Sequence, residues 1–177
     1  VLMAFFSVFF FHCSVFMLND YSDYIAGQDR LNVTGGSGVL QKAWLTANQM
    51  RAGGLLFFFL GFVVGAPLVL LNPQLSLLVA LGAGLSILGY SYAGKGLKYL
   101  GVGDLVVFIC MGPLLTIGLS QLVLQDQLGV AIQLGVFWGI LAIVYLQLRQ
   151  IKSLIYDSNS KVKTLVRNMG FDRTVKF

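Results

Sequence analysis

Three aspartates, Asp20, Asp23 and Asp29, stand with Asn19 immediately after an apolar run that opens the chain, in the order Asn19-Asp20-Tyr21-Ser22-Asp23 followed by Gly27 and Asp29. Carboxylates at the edge of a lipid-embedded helix are costly and rarely idle. On a helix, Asn19 and Asp23 lie four apart and Asp20 and Asp23 three apart, so their side chains share a face. Gly27 suits a left-handed helix stop, and a chain that reverses there can return Asp29 to the cluster. Hard cations such as Mg²⁺ take a few carboxylates, several waters and substrate phosphate oxygens. The cluster offers that chemistry, and an ordinary helix end dressed with Asx turns is the competing reading.

Two further stretches carry polar chemistry. Lys95, Lys98, Tyr99 and Asp104 fall in one short connection between apolar runs. Lys98 suits a diphosphate as a point charge, while Asp104 either caps the helix that follows or joins an acceptor or metal site. Near the other end stand Arg149, Asp157, Lys161 and Lys163. They suit phosphate binding or a basic tail lying on anionic lipid. Between the clusters, Thr34-Gly35-Gly36-Ser37-Gly38 offers backbone N–H groups to an anion but lacks the lysine of a P-loop. Residues Ala43–Arg51 read as a short interfacial helix with Trp44 at headgroup depth.

The elements that must position these groups are membrane spans. The chain is 57% hydrophobic and only 11% charged, with a mean hydropathy of +0.82, where a soluble domain carries roughly a quarter charged residues. Five runs are long and apolar enough for a core about 30 Å thick: Val1–Leu18, Gly53–Leu71, Gln74–Tyr92, Gly103–Leu124 and Gly129–Leu146. The first lacks the basic start and small-residue cleavage site of a signal peptide, and the chain is expected to begin inside a helix of a longer parent. All 12 Lys and Arg residues fall on one side of the implied membrane. The positive-inside rule puts loop 19–52, loop 93–102 and tail 147–177 in the cytoplasm, and the net charge of +5 needs no nucleic acid to explain it.

Glycines in the runs permit close helix approach, and Pro67 and Pro113 predict kinks whose freed carbonyls need partners. Cys13 and Cys110 have no metal-motif spacing and read as buried thiols. His12, alone in a Phe-rich run, reads as a packed or hydrogen-bonded residue.

The segment Asn-Asp-Tyr-Ser-Asp-Tyr-Ile-Ala-Gly-Gln-Asp resembles the first aspartate-rich motif of the UbiA-type membrane prenyltransferases. Its Gly-x-Asp ending, the Gly-Gly-Ser-Gly-Val after it and Leu-Lys-Tyr-Leu-Gly-Val-Gly-Asp-Leu further on are similar to the branch that prenylates dihydroxynaphthoate in menaquinone synthesis. The resemblance implies an all-α, polytopic transmembrane bundle around a central cavity, with the five runs matching spans two to six of nine. Residues 1–177 would then be one membrane domain of a longer enzyme in the cell (inner) membrane.

It further implies that Asn19, Asp20, Asp23 and Asp29 hold Mg²⁺ on the diphosphate of a polyprenyl donor, with Asp23 and Lys98 catalytic. Asn19, Lys98, Tyr99, Asp104, Arg149, Asp157 and Lys161 would contact the donor or an aromatic acceptor. The second motif departs from the branch pattern: Gln150 and Leu154 stand where aspartates are expected, and Asp157 follows seven beyond Gln150. That departure keeps open a non-catalytic isoprenoid-lipid-binding or transporter-like relative of the same fold.

Overall fold

The computed structural model describes residues 1–27, 36–70, 73–90, 96–123, 127–157 and 170. Every regular element among them is helical: α1 (Leu2–Ile25), α2 (Ala47–Val69), α3 (Pro73–Tyr90), a 3₁₀ turn (Leu97–Leu100), α4 (Gly103–Ile109), a π turn (Cys110–Leu114), α5 (Leu115–Val123) and α6 (Leu128–Asp157). Runs such as Phe5, Phe6, Phe9, Phe10 and Phe11 make α1 apolar over most of its surface, with small residues such as Ala4, Ser7 and Ser14 on its buried face. A helix apolar all round is a membrane span or the centre of a large core. Only a helix closes its own backbone hydrogen bonds inside lipid.

Four helical stretches are long and apolar enough to cross a membrane: Leu2–Ile25, Ala47–Val69, Gly103–Ser120 and Leu128–Ile151. They carry most of the first, second, fourth and fifth expected spans. The third expected span corresponds to α3, whose 18 residues extend about 27 Å at 1.5 Å per residue. Large apolar side chains such as Phe5, Phe9, Phe59 and Phe137 stand outward and exposed. Acyl chains are the natural cover for that surface, as expected of an integral membrane protein.

Helices α1 and α2 pack through small residues. The Ser7 hydroxyl donates to the Gly61 carbonyl at 2.7 Å. A Cβ on Gly61 would meet the Phe11 ring at 2.9 Å, and one on Gly54 would meet Leu18 at 2.8 Å. With no hydrophobic drive between helices in lipid, this backbone approach and the dispersion contacts it allows supply the association.

The start of α2 differs from the expected interfacial helix over Ala43–Arg51. Residues 38–45 form turns, with Ala43 at φ +56°, and helix begins only after Thr46. The Thr46 hydroxyl accepts from Gln49 N–H at 3.2 Å while the Gln49 side chain accepts from Thr46 N–H at 2.9 Å. That reciprocal cap fixes the start, and Ala47 to Met50 become the first turn of the span itself.

The fourth expected span is likewise not one α-helix. Pro113 has no N–H to give to the turn before it, and the chain widens into the π turn with Gly112 at φ −103°, ψ −106°. Gly112 sits against the Gly135 carbonyl and Gly139 of α6, where an added Cβ would lie 2.8 Å from the Gly139 Cα. The Thr116 hydroxyl crosses to α6, donating to the Ala131 carbonyl at 2.8 Å, with the Gly112 and Pro113 carbonyls at 3.1 and 3.2 Å as alternative acceptors. The kink is thus locked to its neighbour by backbone contact and a hydroxyl clamp.

The glycine seam makes a paired prediction. A Cβ at Gly135 would lie 2.6 Å from the Pro113 Cα, whereas one at Gly129 would meet nothing within 4 Å. In the full-length protein in detergent, Gly135→Ala is expected to cost about 1–3 kcal/mol, the usual range for overpacking. Gly129→Ala should be neutral. Thermal unfolding followed by size-exclusion monodispersity checks both.

Candidate functional site: a polar lid on an apolar cavity

A cavity of about 1360 Å³ opens among the helices, and its lining divides by chemistry. Deep in the bundle it is apolar, with Ala4, Val8, Phe11, Leu81 and Leu114; at one end it is capped by Asn19, Asp20, Asp23, Lys98, Asp104 and Arg149. The capping residues come from the C-terminal end of α1, the 3₁₀ turn, the N-terminal end of α4 and the C-terminal part of α6. Alternating helix directions bring those ends together.

The helical spacing of the first cluster is realised. The Asn19 amide donates to Asp23 Oδ2 at 3.0 Å, one turn apart on α1. The helix stops as the sequence suggests, with Gly27 at φ +79°. Opposite this face the 3₁₀ turn presents two consecutive side chains. Lys98 Nζ donates to Asp23 Oδ1 at 2.5 Å, to Asp23 Oδ2 at 2.6 Å and to Asn19 Oδ1 at 2.9 Å. The Tyr99 hydroxyl donates to Asp23 Oδ1 at 3.0 Å. The Lys98 and Asp23 side chains are only 14% and 11% exposed, so neither charge can rely on water. Such a pair holds because every oxygen is occupied.

The 3₁₀ turn reaches this position because small residues flank it. Gly96 precedes it and Gly101, at φ +85°, follows. At Gly103 a Cβ would lie 3.1 Å from the Lys98 Cα. The glycine-rich spelling of this connection lets the turn fold back tightly enough for Lys98 to point at α1.

Asp104 lies in the first turn of α4, but the cap position is Val102 and makes no side-chain cap bond. The capping expectation is therefore corrected. The Asp104 carboxylate instead accepts from Gln150 Nε2 of α6 at 3.0 Å. Gln150, which the motif comparison treated only as a departure, is a structural partner. An aspartate there would have set two carboxylates face to face. Asp20 has a partner of its own: its Oδ2 accepts from the Ser37 backbone N–H at 3.0 Å. The Gly36-Ser37-Gly38 stretch does bind an anion, and the anion is the chain's own.

Among the described residues, no three His, Cys, Asp or Glu side chains gather where a metal could be held. Asp29, Lys161 and Lys163 lie outside the described residues, as does the side chain of Asp157. Arg149 lines the cavity. His12 is hydrogen-bonded as expected, Nδ1 to the Val8 carbonyl at 3.0 Å, yet it also lines the cavity together with Tyr90 and Tyr145. Sequence inspection could not place these three, because a cavity-facing position on an all-apolar helix has no periodic signature. Cys13 and Cys110 are free and half-buried.

The donor set can be tested for a hard cation. Both Asp23 oxygens and Asn19 Oδ1 converge within 2.5–2.9 Å of one point, the Lys98 ammonium nitrogen. One carboxylate and one amide oxygen meet there, already bonded to an ammonium, so a hard cation taking them would need water and phosphate oxygens to complete its shell.

The sequence profile of the UbiA prenyltransferase family matches residues 1–177, the whole chain. The chain belongs to the UbiA prenyltransferase family. It is similar to 1,4-dihydroxy-2-naphthoate octaprenyltransferases of Haemophilus influenzae (28% identical over 160 residues, covering 86% of this chain and 51% of that protein) and Mycobacterium tuberculosis (30% over 161 residues, 88% and 53%). It is also similar to UbiA prenyltransferase domain-containing protein 1 of Dictyostelium discoideum (34% over 99 residues, 53% and 29%). The chain thus spans about half the length of the two octaprenyltransferases. No solved structure matches it.

Within this UbiA chain, the Asp23–Lys98 pair is expected to behave as one unit. Asp23→Asn and Lys98→Met should each destabilise the full-length protein by about 2 kcal/mol or more, since each strands a charge largely out of water. The double variant should fall short of their sum, with a coupling of about 1–3 kcal/mol. A double-mutant cycle on thermal or denaturant unfolding checks this.

Proposed function

We propose that the full-length protein transfers a polyprenyl group from an allylic diphosphate to an aromatic acceptor, with dihydroxynaphthoate the leading candidate. The observation that carries the reading is the polar lid of Asn19, Asp23, Lys98 and Tyr99 set directly over an apolar cavity of about 1360 Å³. An amphiphile with a doubly phosphorylated head and a long hydrocarbon tail is the ligand that such a division suits. Family membership and the octaprenyltransferase relatives support the same chemistry.

In this reading Asn19, Asp20, Asp23 and Asp29 hold Mg²⁺ at the lid, and Lys98, Arg149 and Lys161 face the diphosphate oxygens. Tyr99 and Asp104 complete the head-group and acceptor side, and Asp157 lies on the same stretch of α6. A bound ion would supply positive charge at the diphosphate. Lys98 adds charge at the same end, stabilising the leaving group as the allylic C–O bond breaks. The apolar wall below the lid excludes water, so that the allylic cation meets an electron-rich aromatic carbon, which then sheds its proton or carboxyl group to restore the ring, rather than a hydroxide source. Tyr99 and Asn19 orient Asp23 through their hydrogen bonds. Basic residues in the connections at the lid end of the helices, Lys42, Arg51 and Arg149 among them, support a cytoplasmic orientation of this end in the inner membrane.

One observation favours a second reading. Gln150 ties up Asp104 with a neutral amide, which suits a member that binds isoprenoid lipids without turning them over. The two readings separate in an assay of full-length protein with Mg²⁺, a prenyl diphosphate and dihydroxynaphthoate. Diphosphate release and prenylated product are expected, abolished by chelation of the metal and reduced by about 10²-fold or more in Asp23→Ala. Tight binding of the prenyl diphosphate with neither product would establish the lipid-binding alternative.

A further inference from the structure

The ammonium of Lys98 occupies the point on which the lid's oxygen donors converge. Both oxygens of Asp23 and the Oδ1 of Asn19 are within 2.5–2.9 Å of Nζ. The remaining bonds to Asp23 come from Tyr99 and from the Asn19 amide, so the carboxylate has no oxygen left unused. A divalent cation that takes Asp23 must therefore take it from Lys98.

We infer that Lys98 is a tethered counter-cation that competes with the metal for Asp23 and Asn19, and that a diphosphate anion releases it. The inference rests on the magnesium reading above and adds an order of events to it. The resting pair is formally neutral. A divalent cation arriving alone would share one carboxylate with an ammonium already in contact, a like-charge arrangement in a site little exposed to solvent. An arriving diphosphate changes the balance. It gives Lys98 new oxygens to donate to, and Asp23 passes to the metal without leaving any charge unpaired. The lysine sits on a turn of only four residues with a glycine on either side, a short element able to re-aim one side chain without moving α1 or α4. Metal and diphosphate then bind with positive coupling, and by linkage each raises the affinity for the other equally.

The test measures retention of Mn²⁺, standing in for Mg²⁺, by the detergent-solubilised full-length protein, with and without inorganic pyrophosphate. The wild type is expected to hold Mn²⁺ weakly alone and about tenfold or more tightly with pyrophosphate, within the usual span of coupling between sites. Lys98→Met removes the competitor. It should bind Mn²⁺ alone about tenfold more tightly than wild type and lose most of the pyrophosphate enhancement. Lys98→Gln keeps a neutral donor for Asp23 on a side chain one atom shorter, and carries the same expectation should the methionine variant fail to fold. Lys98→Arg, still cationic, should retain the wild-type pattern. Mn²⁺ binding that depends on Asp23 but is no tighter in the neutral variants overturns the competition. Mn²⁺ binding that Asp23→Asn leaves unchanged overturns instead the reading of Asp23 as a metal ligand.

Discussion

A carboxylate and an ammonium held largely out of water, Asp23 and Lys98, join the end of the first helix to the short turn ahead of the fourth. Neither charge is tolerable alone at that depth. Their mutual neutralisation makes it possible to build a charged lid on an otherwise hydrocarbon bundle. Tyr99 and Asn19 complete the satisfaction of Asp23, and what would be two isolated liabilities becomes one network with defined geometry. The lid's chemistry depends on this constraint, because any group that binds there must exchange with partners already in place.

The apolar scaffold below answers a different demand. Helices in lipid associate by close packing, and this chain achieves it with glycine: Gly54 and Gly61 against α1, Gly112 against Gly135 and Gly139. The two seams draw helices together in pairs and leave the cavity between them. The π turn at Cys110–Leu114 bends the wall at mid-span. Its cost is offset by the Thr116 bond to Ala131 on the facing helix. An unbroken α-helix through Gly112 and Pro113 would present a different set of side chains to the interior.

Much of the lid was legible residue by residue. The four-residue spacing of Asn19 and Asp23, the stop at Gly27 and the importance of Lys98 and Tyr99 follow from helical geometry and from the motif resemblance. Other features were not. Asp104 looked like a helix cap because acidic residues at helix starts commonly are caps, and its choice of Gln150 depends on how α6 passes α4. The aromatic Trp44 suggests a separate interfacial helix, whereas the Thr46-x-x-Gln49 signal in the same stretch is the one that sets the start of α2. His12, Tyr90 and Tyr145 could not be assigned to the cavity, since lipid-facing and cavity-facing positions share one apolar vocabulary.

Taken alone, the sequence determined that the chain is a bundle of membrane helices, where its polar groups cluster and to which family it is similar. These properties follow from local composition and spacing, and transfer of apolar side chains and backbone into lipid depends little on which helix lies beside which. The tertiary structure decided the pairings: Asp23 with Lys98, Asp104 with Gln150, Asp20 with the Ser37 amide, Gly112 with α6. Each joins residues 17 to 75 positions apart. Such contacts exist only once helix packing has fixed distance and direction, because hydrogen bonds weaken steeply with distance and angle while the burial of apolar surface is non-directional.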